Sequence, residues 1–304
     1  MGLVFKDYES SGSGISKHTK KTGASLFFDI LGRKFWLLMG INLLYTAFFI
    51  PLLLIFAVIR WVTNYAAAYI LIGLCVLVFA FTIGPATAGM FKIMRNYLIE
   101  KHTYIIRDFF KAFKTNFKKA SVIGFLNFLV VLSSYASLNV YPVLAQQLGT
   151  KLIYIPMIIT LSLALIVFIM NYYIYLMLVA TTLSLKNLIK NSFALSFVAM
   201  KRNLLTSFIT VVTIVIMIVL LLYVTPVFLT IIPIFPAAFL CFVVAFNSYP
   251  VIQKYVINPY YTSIGQINPE LLDDTDDEEA IFEDMGGKEQ PIEKRQKGKG
   301  RRIS

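Results

Sequence analysis

The side chains best placed to do chemistry in this 304-residue chain are uncharged: Asn42, Asn127, Ser133, Ser134, Asn139, Asn171 and Asn247, all set in long apolar stretches. In hydrocarbon such groups serve first as interhelical hydrogen bonds. The sharper alternative is a polar cavity for a neutral solute, with Asn127, Ser134 and Asn171 as its first candidates. Ionic chemistry has less to work with. No Asp or Glu occurs between Asp108 and Glu270, so a buried proton or cation relay lacks its usual carboxylates. His18 and His102 fall in polar segments and Cys75 and Cys241 in apolar ones, which argues against a shared zinc site and for both cysteines as small packing residues. A serine nucleophile would have no histidine base beside it. There is no GxxxxGK[ST] loop and no HExxH helix. A calcium loop begun at Asp274 would need Gly where Glu279 stands and Glu where Met285 stands, so it fails. The expectation is a protein that is not an enzyme, with no cofactor and no metal.

The elements that must hold these groups are membrane helices. Apolar residues make up 58% of the chain and charged residues 14%, against about 45 to 50% and about 25% in soluble domains, and the mean hydropathy is +0.74. A crossing needs roughly 20 mostly apolar residues. Six charge-free windows fit, at about 35–59, 65–83, 122–143, 152–179, 204–228 and 231–249. The last two share one uncharged run that holds Pro226, Pro233 and Pro236, which predicts a tight hairpin. The expected fold class is therefore an all-α integral membrane protein with six transmembrane helices. Lys and Arg number 6 before the first window, then 1, 8, 1, 4 and 0 in successive loops and 8 after the last. The positive-inside rule then puts both termini in the cytoplasm of a cytoplasmic-membrane protein. The net charge of +12 is explained by anionic headgroups of membrane lipid on that side, at about 1 kcal/mol per cation, and no nucleic acid is needed. The polar first 24 residues show no secretory signal pattern.

Residues 1–24 read as a flexible cytoplasmic leader, 25–263 as the six-helix domain and 264–304 as a disordered cytoplasmic tail, acidic over Asp273 to Glu279 and basic over Glu293 to Arg302. Arg33-Lys34, Lys118-Lys119 and Lys201-Arg202 precede the odd-numbered windows at separations of 85 and 83 residues. Three tandem helical hairpins would give that spacing, and so would the tendency of inward-starting spans to begin with cations. Before the third window, Ile106, Phe109, Phe110, Phe113 and Phe117 recur at helical spacing opposite Lys111, Lys114 and Lys118. This predicts an interfacial amphipathic helix lying flat on the inner surface, as a membrane float or as a docking surface for a partner. Before the fifth, Ile189, Phe193, Phe197 and Met200 make a similar stripe. In Gly84 to Met90, Pro85 should kink or end the second helix, with Thr82 and Thr87 covering the freed carbonyls, while Gly84, Ala88 and Gly89 permit close helix packing.

Some of these segments also carry a resemblance. GPATAGM from Gly84 to Met90, RDFFKAFKTNFKKA from Arg107 to Ala120 and FFDILGRKFWLLMGINLLY from Phe27 to Tyr45 are similar to the YesL family of bacterial membrane proteins over most of residues 25–260. That family is a domain of unknown function often associated with carbohydrate utilisation and sugar uptake. The resemblance implies a setting, with sugar-uptake transporter components as partners, and no catalytic residues. The leading expectation is an accessory or regulatory membrane protein. The alternative is a facilitator or permease for a small neutral solute.

Overall fold

The computed structural model of the chain describes residues 22–270. The leader before residue 22, the acidic and basic halves of the tail, and the rejected calcium loop lie outside the described residues. Among the described residues there is no strand, and six helices are long and apolar enough to cross a membrane. The protein is an all-α multipass membrane protein.

The helices follow in chain order: α1 (Gly23–Arg33), α2 (Phe35–Thr46), α3 (Ile50–Trp61), α4 (Tyr65–Leu98), α5 (Ile105–Leu148), α6 (Tyr154–Ala180), α7 (Leu185–Val198), α8 (Met200–Tyr223), α9 (Thr225–Ile231), α10 (Pro236–Ile252) and α11 (Asn258–Ser263). A 3₁₀ turn, Ala47–Phe49, splits the first crossing into α2 and α3. Pro51 explains the break, because it has no N–H to donate to the Ala47 carbonyl four residues back. Asn64 caps α4, accepting the Ala67 N–H at 3.2 Å, and Gly149, with φ of +63°, ends α5 in the left-handed conformation that glycine adopts freely.

Two sequence expectations are corrected here. First, α4 does not end at Pro85 but runs on to Leu98. Pro85 leaves the Phe81 carbonyl without its helical donor, and Ser121 of α5 donates its hydroxyl to that oxygen at 2.8 Å. Thr82 and Thr87 bond instead to the carbonyls of Val78 and Ile83. The helix survives its proline because a neighbour supplies the missing donor. Second, the segment with the aromatic stripe is no separate helix lying flat on the membrane. It is the first part of α5, continuous with the third crossing for 44 residues. Phe109 is fully buried, and Phe48 covers both Phe109 and Phe113 with ring centroids 5.9 and 5.3 Å apart. The lysines that cut short a hydropathy window do not interrupt a helix whose opposite face is packed.

At the crossing of α4 and α5 the backbones touch. A Cβ on Gly84 would lie 2.0 Å from the Ala120 carbonyl oxygen, and Gly124 stands directly opposite. A short helix, α9, and a break at 232–235 precede the sixth crossing, Pro236–Ser263, which α10 begins. Of the most apolar window of this crossing, 61% is buried, against 22% or less in the other five. α10 is therefore the centre of the bundle, and α1 closes over it through Phe27, which packs on Phe242 and Phe246.

Candidate functional site

Most described cations collect at one end of the bundle. There Arg33 pairs with Glu100 at 2.7 Å, Lys34 lies over the Tyr97 ring at 5.5 Å, and the Lys119 ammonium donates to the Leu183 carbonyl at 2.8 Å. Arg60, in the last turn of α3, and Lys151, between α5 and α6, lie at the other end. The basic end also holds the most enclosed ionic cluster of the described residues.

Arg95 comes from the last turn of α4, beyond the length a single crossing needs, and Tyr249 from the last turn of α10. After Tyr249 the helix widens into a π turn, Gln253–Ile257. Pro259 accounts for the distortion: it cannot donate to the Tyr255 carbonyl, and its ring would collide with it. π turns recur at functional sites, and this one starts at Gln253, a member of the cluster. The chain then leaves α11, turns through Gly265 at φ of +70°, and returns to the bundle. Asn268 donates to Asn258 at 2.9 Å and accepts the Glu270 N–H at 3.1 Å, which fixes the direction of the Glu270 side chain. The tail expected from 264 thus begins, over 264–270, as an ordered return onto the bundle.

The Arg95 guanidinium donates through Nη2 to Glu270 Oε1 and through Nε to the Tyr249 hydroxyl at 2.9 Å. Tyr249 in turn donates to Glu270 Oε2, and Gln253 Nε2 donates to the same oxygen at 3.1 Å. The side chains of Arg95 and Glu270 are only 14% and 17% exposed. Burial pushes the Glu270 carboxyl upward, but the Tyr249 hydroxyl, the Arg95 charge and the Gln253 amide outweigh it and hold the group below the usual carboxylate value. Beside the cluster lies a cavity of about 340 Å³ lined by Arg95, Thr181, Thr182, Tyr260, Tyr261, Asn268 and Glu270 among others. Chemically, this is an anion cradle with a carboxylate of the same chain in it.

Of the residues singled out from sequence, Asn127 and Asn171 meet. Each amide donates to the other, at 2.7 and 3.0 Å, and Tyr175 adds a contact at 3.3 Å. Ser134 does not join them; it bonds to the Val130 carbonyl of its own helix. A groove of about 420 Å³ runs past the pair, lined mainly by Ile123, Leu126, Leu129, Val130, Val167, Met170 and Ile174. Its walls are hydrocarbon. Gly84, Pro85, Thr87 and Gly89 form a packing seam: Gly89 gives room to the Phe109 ring and Thr87 meets the Tyr45 hydroxyl at 3.1 Å. On α5, Phe109 and Phe113 face the bundle, Phe117 is 41% exposed, and Lys111, Lys114 and Lys118 occupy largely exposed positions. The α7 stripe of Ile189, Phe193 and Phe197, with Met200 beyond it, also remains exposed. No group of three or more His, Cys, Asp or Glu that could hold a metal occurs among the described residues.

Arg95, Tyr249 and Gln253 were not singled out from sequence. The available signal was Glu270 itself, the first carboxylate after a span of the chain that has none, with an arginine beyond the end of the second window as its natural counterion.

Residues 38–138, from the first crossing to most of α5, match the family described as Protein of unknown function, DUF624. Comparison with curated proteins and with solved structures gave no match. The matched stretch includes Arg95 and the α4–α5 packing seam, while Tyr249, Gln253 and Glu270 lie beyond it, so over about a third of its length this multipass membrane protein is similar to a family whose description names no activity.

Proposed function

We propose that the chain is a non-enzymatic accessory or regulatory protein of bacterial carbohydrate uptake, set in the cytoplasmic membrane with both termini in the cytoplasm. The observation that carries this reading is the return of the C-terminal segment onto the bundle. Glu270 ties the chain to Arg95 at the end where the cations concentrate, so a change at the tail has a mechanical route into the ends of α4 and α10. The exposed aromatic stripe of α7 and the lysine face of α5 belong to the same end, where a partner and anionic headgroups would both be met. The carbohydrate setting rests on the resemblance to the YesL family.

Affinity purification from native membranes, with identification of co-purifying proteins, tests the reading; recovery of a sugar-transporter component is expected. Single-cysteine labels on a background lacking Cys75 and Cys241 test the orientation. Asn64 and Thr150 should react from outside and Lys114 and Asn187 should not. The alternative, a facilitator for a small neutral solute, draws on the Asn127–Asn171 pair beside its groove. Saturable sugar flux by the purified protein in liposomes, without any partner, would replace the accessory reading with that one.

A further inference from the structure

Glu270 occupies a receptor that does not depend on it. The donors that hold its carboxylate sit on the end of α4 (Arg95), the end of α10 (Tyr249) and the start of the π turn that follows it (Gln253), whereas Glu270 arrives on a non-helical segment beyond α11. No carboxylate is present between residues 108 and 270, so nothing on α6, α7 or the loop between them can replace Glu270 as counterion. Lys92, one turn before Arg95, adds a second positive charge within electrostatic reach of both partners. Without Glu270, Arg95 would be an uncompensated cation flanked by a phenol and a carboxamide. With Glu270 in place, a cavity of about 340 Å³, walled in part by Asn268 and Glu270, already lies beside the pair, within the range of about 300 to 1,000 Å³ common for small-molecule sites. Thr182, Tyr260 and Tyr261 are among the residues that line that space.

We propose that this cradle is a binding site for a phosphate monoester group, with Glu270 as its built-in competitor. A phosphate offers three acceptor oxygens in place of two, so it can take the arginine in two-point contact while still accepting from Tyr249 and Gln253. The cavity beside the ion pair accommodates the rest of the ligand. The same chemistry is found in the headgroup of phosphatidic acid and in free phosphate, and the site stands whether or not the protein serves sugar uptake.

The test uses the purified full-length chain in detergent, as wild type, Glu270→Gln, and the doubly neutral Arg95→Gln/Glu270→Gln. Phosphatidic acid, phosphatidylcholine and inorganic phosphate are the probes, and bound molecules are counted by native mass spectrometry. If the internal carboxylate fills the cradle nine-tenths of the time, removing it raises apparent affinity about tenfold. Glu270→Gln should therefore hold phosphatidic acid about tenfold more tightly than wild type, and the double variant should lose that gain. Gain with inorganic phosphate as well as with the lipid identifies a site for the free anion; gain with the lipid alone identifies a headgroup site. Equal binding by Glu270→Gln and the double variant overturns the proposal. A second readout needs no charge change: a spin label at the exposed position Ile267 of the otherwise wild-type chain should gain mobility as phosphatidic acid or inorganic phosphate is added, and no gain at saturation with either also overturns it.

Discussion

Asn42 Oδ1 accepts the backbone N–H of Ala238 at 2.9 Å across 196 residues of sequence. The same amide donates through Nδ2 to the Ile232 carbonyl, also at 2.9 Å. One fully buried side chain thus serves both sides of the break between α9 and α10, where the helix ends leave backbone groups that lipid cannot satisfy.

Replacing Asn42 by Leu should destabilise the protein by about 1 to 3 kcal/mol for each of the two backbone groups it strands. Thermal unfolding in detergent measures this. Asn42→Asp, kept neutral by full burial, retains an acceptor for Ala238 and an O–H donor for Ile232, so it should lose less than Asn42→Leu, and an equal loss would argue against the role of these two bonds.

The α4–α5 seam makes a prediction with its own control. Gly84→Ala places a methyl 2.0 Å from a backbone oxygen, which no rotamer can relieve, so the loss should reach the upper part of the range of about 1 to 3 kcal/mol for overpacking. Gly73→Ala, on the same helix with nothing within 4 Å of the new methyl, should be neutral or stabilising by up to about 1 kcal/mol. Equal behaviour of the two variants in a melting series would refute the close approach.

Burial distinguishes Phe109 from Phe117. Phe109→Ala should cost about 3 kcal/mol, the low end for a buried phenylalanine, because lipid competes for apolar surface better than water does. Phe117→Ala, at a position 41% exposed, should change stability by less than about 1 kcal/mol. A membrane-float helix, with both rings on one lipid-facing stripe, would show no such difference, and chemical denaturation of the two variants separates the cases.

The Glu270 tie has a pH window whose sign follows from its environment. The carboxyl is held below its ordinary value in the folded chain, so its contribution is present above the ordinary glutamate value of about 4.3 and is lost as pH falls through the lower, folded-state value. Mobility of a spin label at Ile267 should stay flat from neutral pH down to about 4.3 and rise below it. A rise centred above about 4.3 would contradict the arrangement.

The six crossings were legible because each contains a charge-free run close to the thickness of the hydrocarbon layer. Their true lengths were not. The ends of α4 and the start of α5 carry Lys92, Arg95, Lys111, Lys114 and Lys118, which close a hydropathy window without ending a helix, and the rescue of Pro85 by Ser121 depends on a contact 40 residues away. The aromatic stripe on α5 was legible as a helical face, but periodicity does not say what a face meets, and Phe48 is reached only through the break in the first crossing. That buried polar groups such as Asn127 and Asn171 would hydrogen-bond between helices followed from their place in apolar runs, but which two would pair did not, and Ser134 turned to its own helix, an outcome that spacing alone does not separate from the first. Arg95 and Glu270, 175 residues apart, come together through the π turn after α10, and that distortion has no signal beyond Pro259.

The reach of Asn42 also sets an order of events during synthesis. A ribosome adding about 5 to 20 residues per second needs on the order of 10 to 40 s to travel from Asn42 to Ala238, and for that time the first crossing sits in lipid without the partners its amide serves in the finished fold. The newborn helix must meanwhile borrow a stand-in, from water at the membrane surface, from its own backbone or from the insertion machinery, and closure of the bundle around Asn42 waits for α10.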